Sequence, residues 1–113
     1  MKILKDMITT NELKKIAQAT FGDLVKAVVD VDRELVAIDA ELHSDLEALL
    51  LENGSKQNSL WGINFYPELE GDDFIEFDSM INLRPSRENK TRGVDSKDIR
   101  VKIINIVNKW VKE

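Results

Sequence analysis

The 113-residue chain is long enough for one domain with a hydrophobic core, since 42% of its residues are apolar and 33% are charged. It contains no cysteine, which excludes disulfides, thiolate metal sites and cysteine nucleophiles. The net charge of -5 argues against a general binder of nucleic acid or anionic membranes. No apolar run reaches the length of a signal peptide or of a membrane span, so we expect a cytoplasmic protein.

The first predicted elements are a helix and a β-hairpin. Thr9 and Glu12 form a capping box that predicts a helix over residues 10–20. Residues 24–42 fit two structures, because their apolar residues recur at helical spacing and also alternate on either side of a turn at residues 32–34. β-branched side chains lose rotamer freedom in a helix, so the valine-rich segment favours the hairpin, with one long helix as the alternative.

Two further helices follow from capping residues and apolar spacing. Ser44 and Glu47 form a second capping box, which predicts a short helix over residues 45–53. Asp95 or Ser96 is the expected cap of the last helix. That helix has a wide apolar stripe formed by Ile99, Ile103, Ile106, Val107 and Trp110.

A second hairpin is predicted between these helices. Residues 60–66 and 75–84 alternate between apolar and polar side chains, and a proline follows each segment. Short connections favour antiparallel pairing. We therefore predict one α+β domain, a two-layer sandwich of three helices on a four-stranded, mainly antiparallel sheet, in the order α-β-β-α-β-β-α with a short N-terminal strand. The expected core is led by Trp61, Phe65, Phe77, Ile103 and Trp110.

The polar face of the second hairpin is the first candidate site. Residues on one face lie about 6.5 to 7 Å apart along a strand, close enough to bind one polar ligand or to share proton transfer between carboxylates. The competing interpretation is the solvated side of an antiparallel sheet, with its acids paired to an arginine. The polar residues of this face are Asn64, Tyr66, Glu76, Asp78, Asn82 and Arg84.

The only histidine, His43, lies among three carboxylates in residues 41–47. Carboxylate and imidazole ligands suit a divalent metal, but the spacing matches no zinc motif and one histidine cannot form the usual catalytic triad of ligands. The chain also offers no recognisable set of nucleophile, base and orienting group. We therefore predict no metal site, no cofactor and no nucleophile-based active site.

The sign of the charge reverses toward the C-terminus. Residues 23–53 carry nine acids against two bases and residues 68–78 carry six acids and no base, whereas residues 84–102 carry seven bases against three acids. Guanidinium groups bind phosphate and carboxylate well, and this basic loop runs into a helix N-terminus. The acidic segments would repel a long polyanion, which makes nucleic acid a poor partner. The predicted anion-binding residues are Arg84, Arg87, Lys90 and Arg92.

Three stretches, Glu41–Ser55, Leu60–Pro67 and Phe77–Ser86, resemble a family of short prokaryotic proteins known only as a domain of unknown function. The resemblance spans nearly the whole chain and implies no catalytic roles. Glycines that its members carry near position 39 favour the hairpin over a long helix.

These observations predict a small binding or regulatory module that captures a phosphate or carboxylate group on a small molecule or a protein partner. Two alternatives remain open at this point. One is a small enzyme that uses Glu76, Asp78 and Arg84 of the polar sheet face. The other is a protein-interaction domain without a ligand.

Overall fold

The computed structural model describes residues 1–113 as seven strands and three helices. The strands are β1 (Lys2–Ile3), β2 (Ile8–Thr9), β3 (Val25–Asp30), β4 (Leu35–Ile38), β5 (Leu60–Phe65), β6 (Ile75–Glu76) and β7 (Val111–Lys112). The helices are α1 (Thr10–Ala19), α2 (His43–Glu52) and α3 (Lys97–Trp110). None of the helices combines the length and the apolar character needed to cross a membrane.

Five of the strands form one antiparallel sheet in the order β1-β4-β3-β5-β6. The hairpin of β3 and β4 confirms the prediction for residues 24–42, and Asp30 lies opposite Leu35 at its turn. The sheet has one strand more than predicted, because β1 pairs with β4 at the edge. The remaining strands, β2 and β7, pair in parallel and join the two ends of the chain. The α+β class is confirmed.

Helices cover both faces of this sheet, so the predicted two-layer arrangement is wrong. On one face Ala27 and Val29 of β3 belong to a core of 17 buried residues that includes side chains of α1 and α3. On the other face Val28 packs with Leu46 and Leu50 of α2. The physical reason is that Val28 of β3, Ala37 of β4 and Leu60 of β5 make the second face apolar as well, so both faces of the sheet need cover.

The predicted core residues divide between full and partial burial. Trp61, Phe65 and Ile103 are buried, whereas Phe77 and Trp110 are partly buried against the larger core. Phe65 also stacks on Phe74, with ring centroids 5.3 Å apart.

Two of the three predicted helix caps are present. Thr9 Oγ1 accepts a hydrogen bond from the Glu12 amide at 3.1 Å, and Ser96 Oγ accepts one from the Ile99 amide at 3.3 Å. The capping box predicted for α2 is wrong. That helix begins two residues earlier than expected, with Leu42 as its N-cap and no side-chain hydrogen bond to the first turn.

The predicted strand over residues 75–84 is also wrong beyond β6. After Glu76 the chain leaves the sheet, and residues 80–82 form a short 3₁₀ helix. The side chain of Asn82 then takes the place of the missing strand. Its Oδ1 accepts a hydrogen bond from the Gly62 amide at 2.9 Å, and its Nδ2 donates to the Gly62 carbonyl at 3.0 Å and the Arg92 carbonyl at 2.9 Å.

Candidate functional site

A cleft of about 420 Å³ opens at the N-terminal end of α2, beside the polar ends of β3, β5 and β6. Strand residues Lys26, Asn64 and Glu76 line its floor, and the first residue of α2, His43, lines one side. Its size falls within the range of about 300–1,000 Å³ that is usual for small-molecule sites. Tyr66, Ser44, Asp78 and Arg92 complete the polar lining.

The floor of the cleft is a row of three polar residues on neighbouring strands. In the strand register Lys26 lies opposite Asn64, and Asn64 lies opposite Glu76. Asn64 Nδ2 donates to Glu76 Oε1 at 2.8 Å and to the Asp78 carbonyl at 3.2 Å. Asn64 is only 5% exposed, yet its Oδ1 has no hydrogen-bond partner. The row therefore contains a buried acceptor without a well-aligned donor in the protein.

The two charged residues of this row have no ion-pair partner in the structure. Neither Lys26 nor Glu76 takes part in any of the five salt bridges. The Lys26 ammonium lies 5.2 Å from the centroid of the Phe21 ring. Glu76 Oε1 also accepts from the Tyr66 hydroxyl at 3.3 Å, and burial together with the charge of Glu76 raises the pKa of Tyr66. The phenol therefore acts as a donor in this cleft.

The N-terminal turn of α2 forms one wall. Leu42 at the N-cap brings no side-chain acceptor to the backbone amides of this turn, although its carbonyl accepts from the Asp45 amide at 3.2 Å. Such amides, together with the partial positive charge of the helix end, attract anions. Ser44 adds an exposed hydroxyl at the same place.

His43 is buried against β5 behind this wall. Its Nε2 lies 2.8 Å from the Ile63 carbonyl, which assigns the ring proton to Nε2. Burial lowers the pKa of His43 below 6.5, and the charge of Lys26 lowers it further. The Ile63 carbonyl, Asn64 and Asp78 raise the pKa, but together they do not outweigh burial. The imidazole is therefore neutral near pH 7 and leaves the charge of the cleft to its other residues.

The structure brings four members of the predicted polar sheet face together and separates two. Asn64, Tyr66, Glu76 and Asp78 all line the cleft. Asn82 is fully buried and does not line the cleft. Arg84 does not reach the cleft, because its guanidinium donates to Glu47 and to the Gln57 carbonyl.

Two of the arginines predicted to bind an anion are held by the fold. Arg84 pairs with Glu47, and Arg87 stacks 4.1 Å from the centroid of the Trp61 ring while donating to the Asn58 carbonyl at 2.6 Å. Burial lowers the pKa of both guanidinium groups. For Arg87, burial and the positive charge of Arg84 together lower the pKa to about 10. Their binding role stays a prediction.

The other two residues of the basic loop differ in position. Lys90 is exposed, and it donates through its backbone amide to Asp95. Arg92 lines the cleft and donates through Nε to Asp78 Oδ1 at 2.7 Å. Arg92 is therefore the member of the basic loop that belongs to the candidate site.

Sequence reasoning missed Lys26 and Leu42. Lys26 carried a local signal, because it is the only cation in a valine-rich strand. Leu42 carried none, because the capping pattern at Ser44 placed the helix start two residues too late and so concealed the apolar N-cap.

A family model described as a protein of unknown function (DUF5674) matches residues 2–110. The chain belongs to this family. The match covers nearly the whole chain and confirms the resemblance to a domain of unknown function. No significant match was found among curated proteins or among solved structures.

Proposed function

We propose that the protein is a small binding module that captures a small molecule with a carboxylate or phosphate group in the cleft at the N-terminal end of α2. The observation that carries this proposal is the N-cap of α2. Leu42 leaves the first turn without a side-chain acceptor, and the turn opens onto a cleft that also contains Lys26 and Arg92. An anion bound there would act as the missing cap.

The charge of the surroundings supports this position for the anion. Lys26 has no ion-pair partner, so its ammonium is available to a ligand. Arg92 keeps two of its guanidinium nitrogens free of protein partners, since only its Nε donates to Asp78. The basic loop thus contributes one cation to the proposed site, while Arg84 and Arg87 hold the loop in place.

The proposal is tested by titrating isotope-labelled protein with acetate, phosphate and sulfate at low ionic strength. We expect the backbone amide signals of His43 and Ser44 to shift and saturate. Lys26→Gln should weaken binding severalfold, whereas Lys90→Gln, with the same loss of charge outside the cleft, should leave it unchanged. Unmoved His43 and Ser44 signals would contradict the proposal, and a loss of binding in Lys90→Gln alone would place the anion in the loop.

A substitution at the N-cap gives a second test. Leu42→Asp supplies α2 with its own acceptor, which we expect to stabilise the protein by about 1 kcal/mol and to weaken anion binding by competition. Leu83→Asp is the matched control, because Leu83 is also exposed and lies outside the cleft. Equal weakening by both substitutions would show a general charge effect and no capping role for the ligand.

A small enzyme is the second candidate function. The observation that favours it is the meeting of a neutral imidazole, His43, with the carboxylates of Glu76 and Asp78 in one cleft. Groups of this kind serve general acid–base catalysis. A hydrolase panel tests this candidate, and we expect any true turnover to disappear in Asp78→Asn. Turnover that survives this substitution would come from another source.

A further inference from the structure

The chemistry of the cleft narrows the class of ligand. We infer that the site takes an aliphatic amino acid, with its carboxylate at the N-terminal end of α2, its ammonium at Asn64 and Glu76, and its side chain against Leu42 and Met80. This inference rests on the proposed function, since it assigns the anion to the same position.

The balance of charge favours a zwitterion over a simple anion. Of the four charged residues in the cleft, Arg92 and Asp78 pair with each other at 2.7 Å. The remaining two, Lys26 and Glu76, are of opposite sign and stand on either side of Asn64. With neighbouring strands about 4.8 Å apart, their backbones are separated by about 10 Å. A zwitterion satisfies both charges, whereas a phosphate dianion would face the carboxylate of Glu76.

Two acceptors beside this row are suited to an ammonium group. Asn64 Oδ1 is buried and has no donor. Glu76 Oε2 also accepts no hydrogen bond, because Asn64 and Tyr66 both donate to Oε1. An ammonium has three donors and no acceptor, so it matches a site that offers acceptors of this kind. A plain carboxylic acid would leave both oxygens unused.

The rim of the cleft supplies an apolar surface for the rest of the ligand. Leu42 is 55% exposed and Met80 is 63% exposed, and both line the cleft together with the half-buried Leu24 and Ile81. The unbranched methionine side chain adapts to ligands of different shape. An aliphatic side chain lying here would remove these exposed groups from water.

The inference is tested by calorimetric titration of the full chain with acetate, hexanoate, hexylamine, glycine and norleucine. Norleucine should bind best. We expect it to bind at least tenfold more tightly than glycine, because each buried methylene contributes up to about a fourfold gain in affinity. It should also bind more tightly than hexanoate, which lacks the ammonium group.

Two substitutions separate the parts of the ligand. Glu76→Gln keeps an acceptor for Asn64 and Tyr66 but removes the charge, so norleucine should bind about tenfold more weakly. Hexanoate has no ammonium group and should bind more tightly, because the repulsion from this carboxylate is lost. Met80→Gln should reduce the advantage of norleucine over glycine. Met7→Gln is its matched control, because Met7 is 60% exposed and lies outside the cleft.

The outcomes distinguish this inference from the proposed function. If acetate and hexanoate shift the His43 and Ser44 amides but norleucine binds no more tightly, the amino-acid assignment is wrong and the anion site stands. Phosphate binding more tightly than every amino acid would also overturn the assignment. If none of these probes moves the two amides, both the assignment and the proposed function are wrong.

Discussion

Replacing Asn82 by alanine should destabilise the protein more than the loss of one polar side chain usually does. The side chain is fully buried, and it bonds to the Gly62 amide, the Gly62 carbonyl and the Arg92 carbonyl at 2.9 to 3.0 Å. Because β6 has already ended, no neighbouring strand can take over these bonds. Alanine would leave the amide and the carbonyl of Gly62 without a partner, whereas the Arg92 carbonyl would keep its hydrogen bond from the Ser79 amide at 2.9 Å.

The expected loss follows from these two groups of Gly62. A buried donor or acceptor without a partner costs about 1–3 kcal/mol, and water entering the space left by the amide would recover part of that cost. We therefore expect Asn82→Ala to lower the free energy of unfolding by about 2–4 kcal/mol, a large share of the roughly 5–15 kcal/mol that holds a domain folded. At about 4 °C for each kcal/mol, the melting temperature should fall by about 8–16 °C.

Equilibrium unfolding in urea and a thermal melt measure this loss. Asn105→Ala is the control, because Asn105 is exposed on α3 and alanine favours a helix. It should change the free energy of unfolding by no more than about 0.5 kcal/mol. A loss below about 1 kcal/mol in Asn82→Ala would refute the reasoning that this side chain completes the edge of the sheet.

Three further predictions concern Gly62, Asp30 and His43. A Cβ at Gly62 would lie 2.5 Å from Ser79 Cβ, so Gly62→Ala should lower the free energy of unfolding, measured by chemical denaturation, by about 1–3 kcal/mol. In a double-mutant cycle, Ser79→Gly should relieve this clash and restore part of the lost stability. Asp30 is fully buried and accepts hydrogen bonds from two turn amides at 3.0 Å and from the Ser55 hydroxyl at 2.6 Å. Asp30→Ala should therefore lower the free energy of unfolding by about 2–4 kcal/mol, and Asp30→Asn, which keeps one acceptor oxygen, should lower it by clearly less. Because burial lowers the pKa of His43, the unfolded chain binds a proton on this ring more tightly than the folded protein does. The free energy of unfolding should therefore be at its full value above about pH 6.5 and decrease as the pH falls toward the pKa of the folded state. A series of unfolding measurements at different pH should show that this decrease is absent in His43→Gln.

Elements that depend on neighbouring residues could be predicted from the sequence. The caps at Thr9 and Ser96 form within four residues, so their patterns are sufficient to place the starts of α1 and α3. The hairpin of β3 and β4 is likewise local, and its alternation of apolar residues decided correctly against a long helix. In each case the interaction that selects the structure lies inside the segment that shows the pattern.

Elements that depend on distant contacts could not be predicted in this way. Residues 75–84 alternate as a strand does, but Asn82 bonds to the backbone of Gly62, 20 residues away, and the chain must leave the sheet to allow it. The pattern at Ser44 failed for a related reason, since the ring of His43 bonds to the Ile63 carbonyl and the helix already includes His43. Tertiary contacts outweighed local preference at both places.

The same limit applies to the candidate site. Alternation correctly grouped Asn64, Tyr66, Glu76 and Asp78, because they follow one another on two paired strands or directly after them. It could not show that His43 joins them, since that depends on how α2 packs on the sheet. A count of charges located the basic loop, but it could not show which arginines already have partners in the fold.

The end of β6 connects these findings. Because the strand stops after Glu76, the chain turns and brings Ser79 against Gly62, where no other residue would fit. That turn also brings Asp78 and Met80 into the lining of the cleft. The irregular edge of the sheet is therefore what creates the cleft.

Two departures from local preference meet at the cleft. A lysine interrupts the valines of β3, and a leucine occupies the N-cap of α2. Each of them lowers stability when it is considered alone. An apolar residue at position 26 and an acceptor at position 42 would serve stability better. The proposed ligand gives both residues a role, because it needs the charge of Lys26 and the free amides behind Leu42.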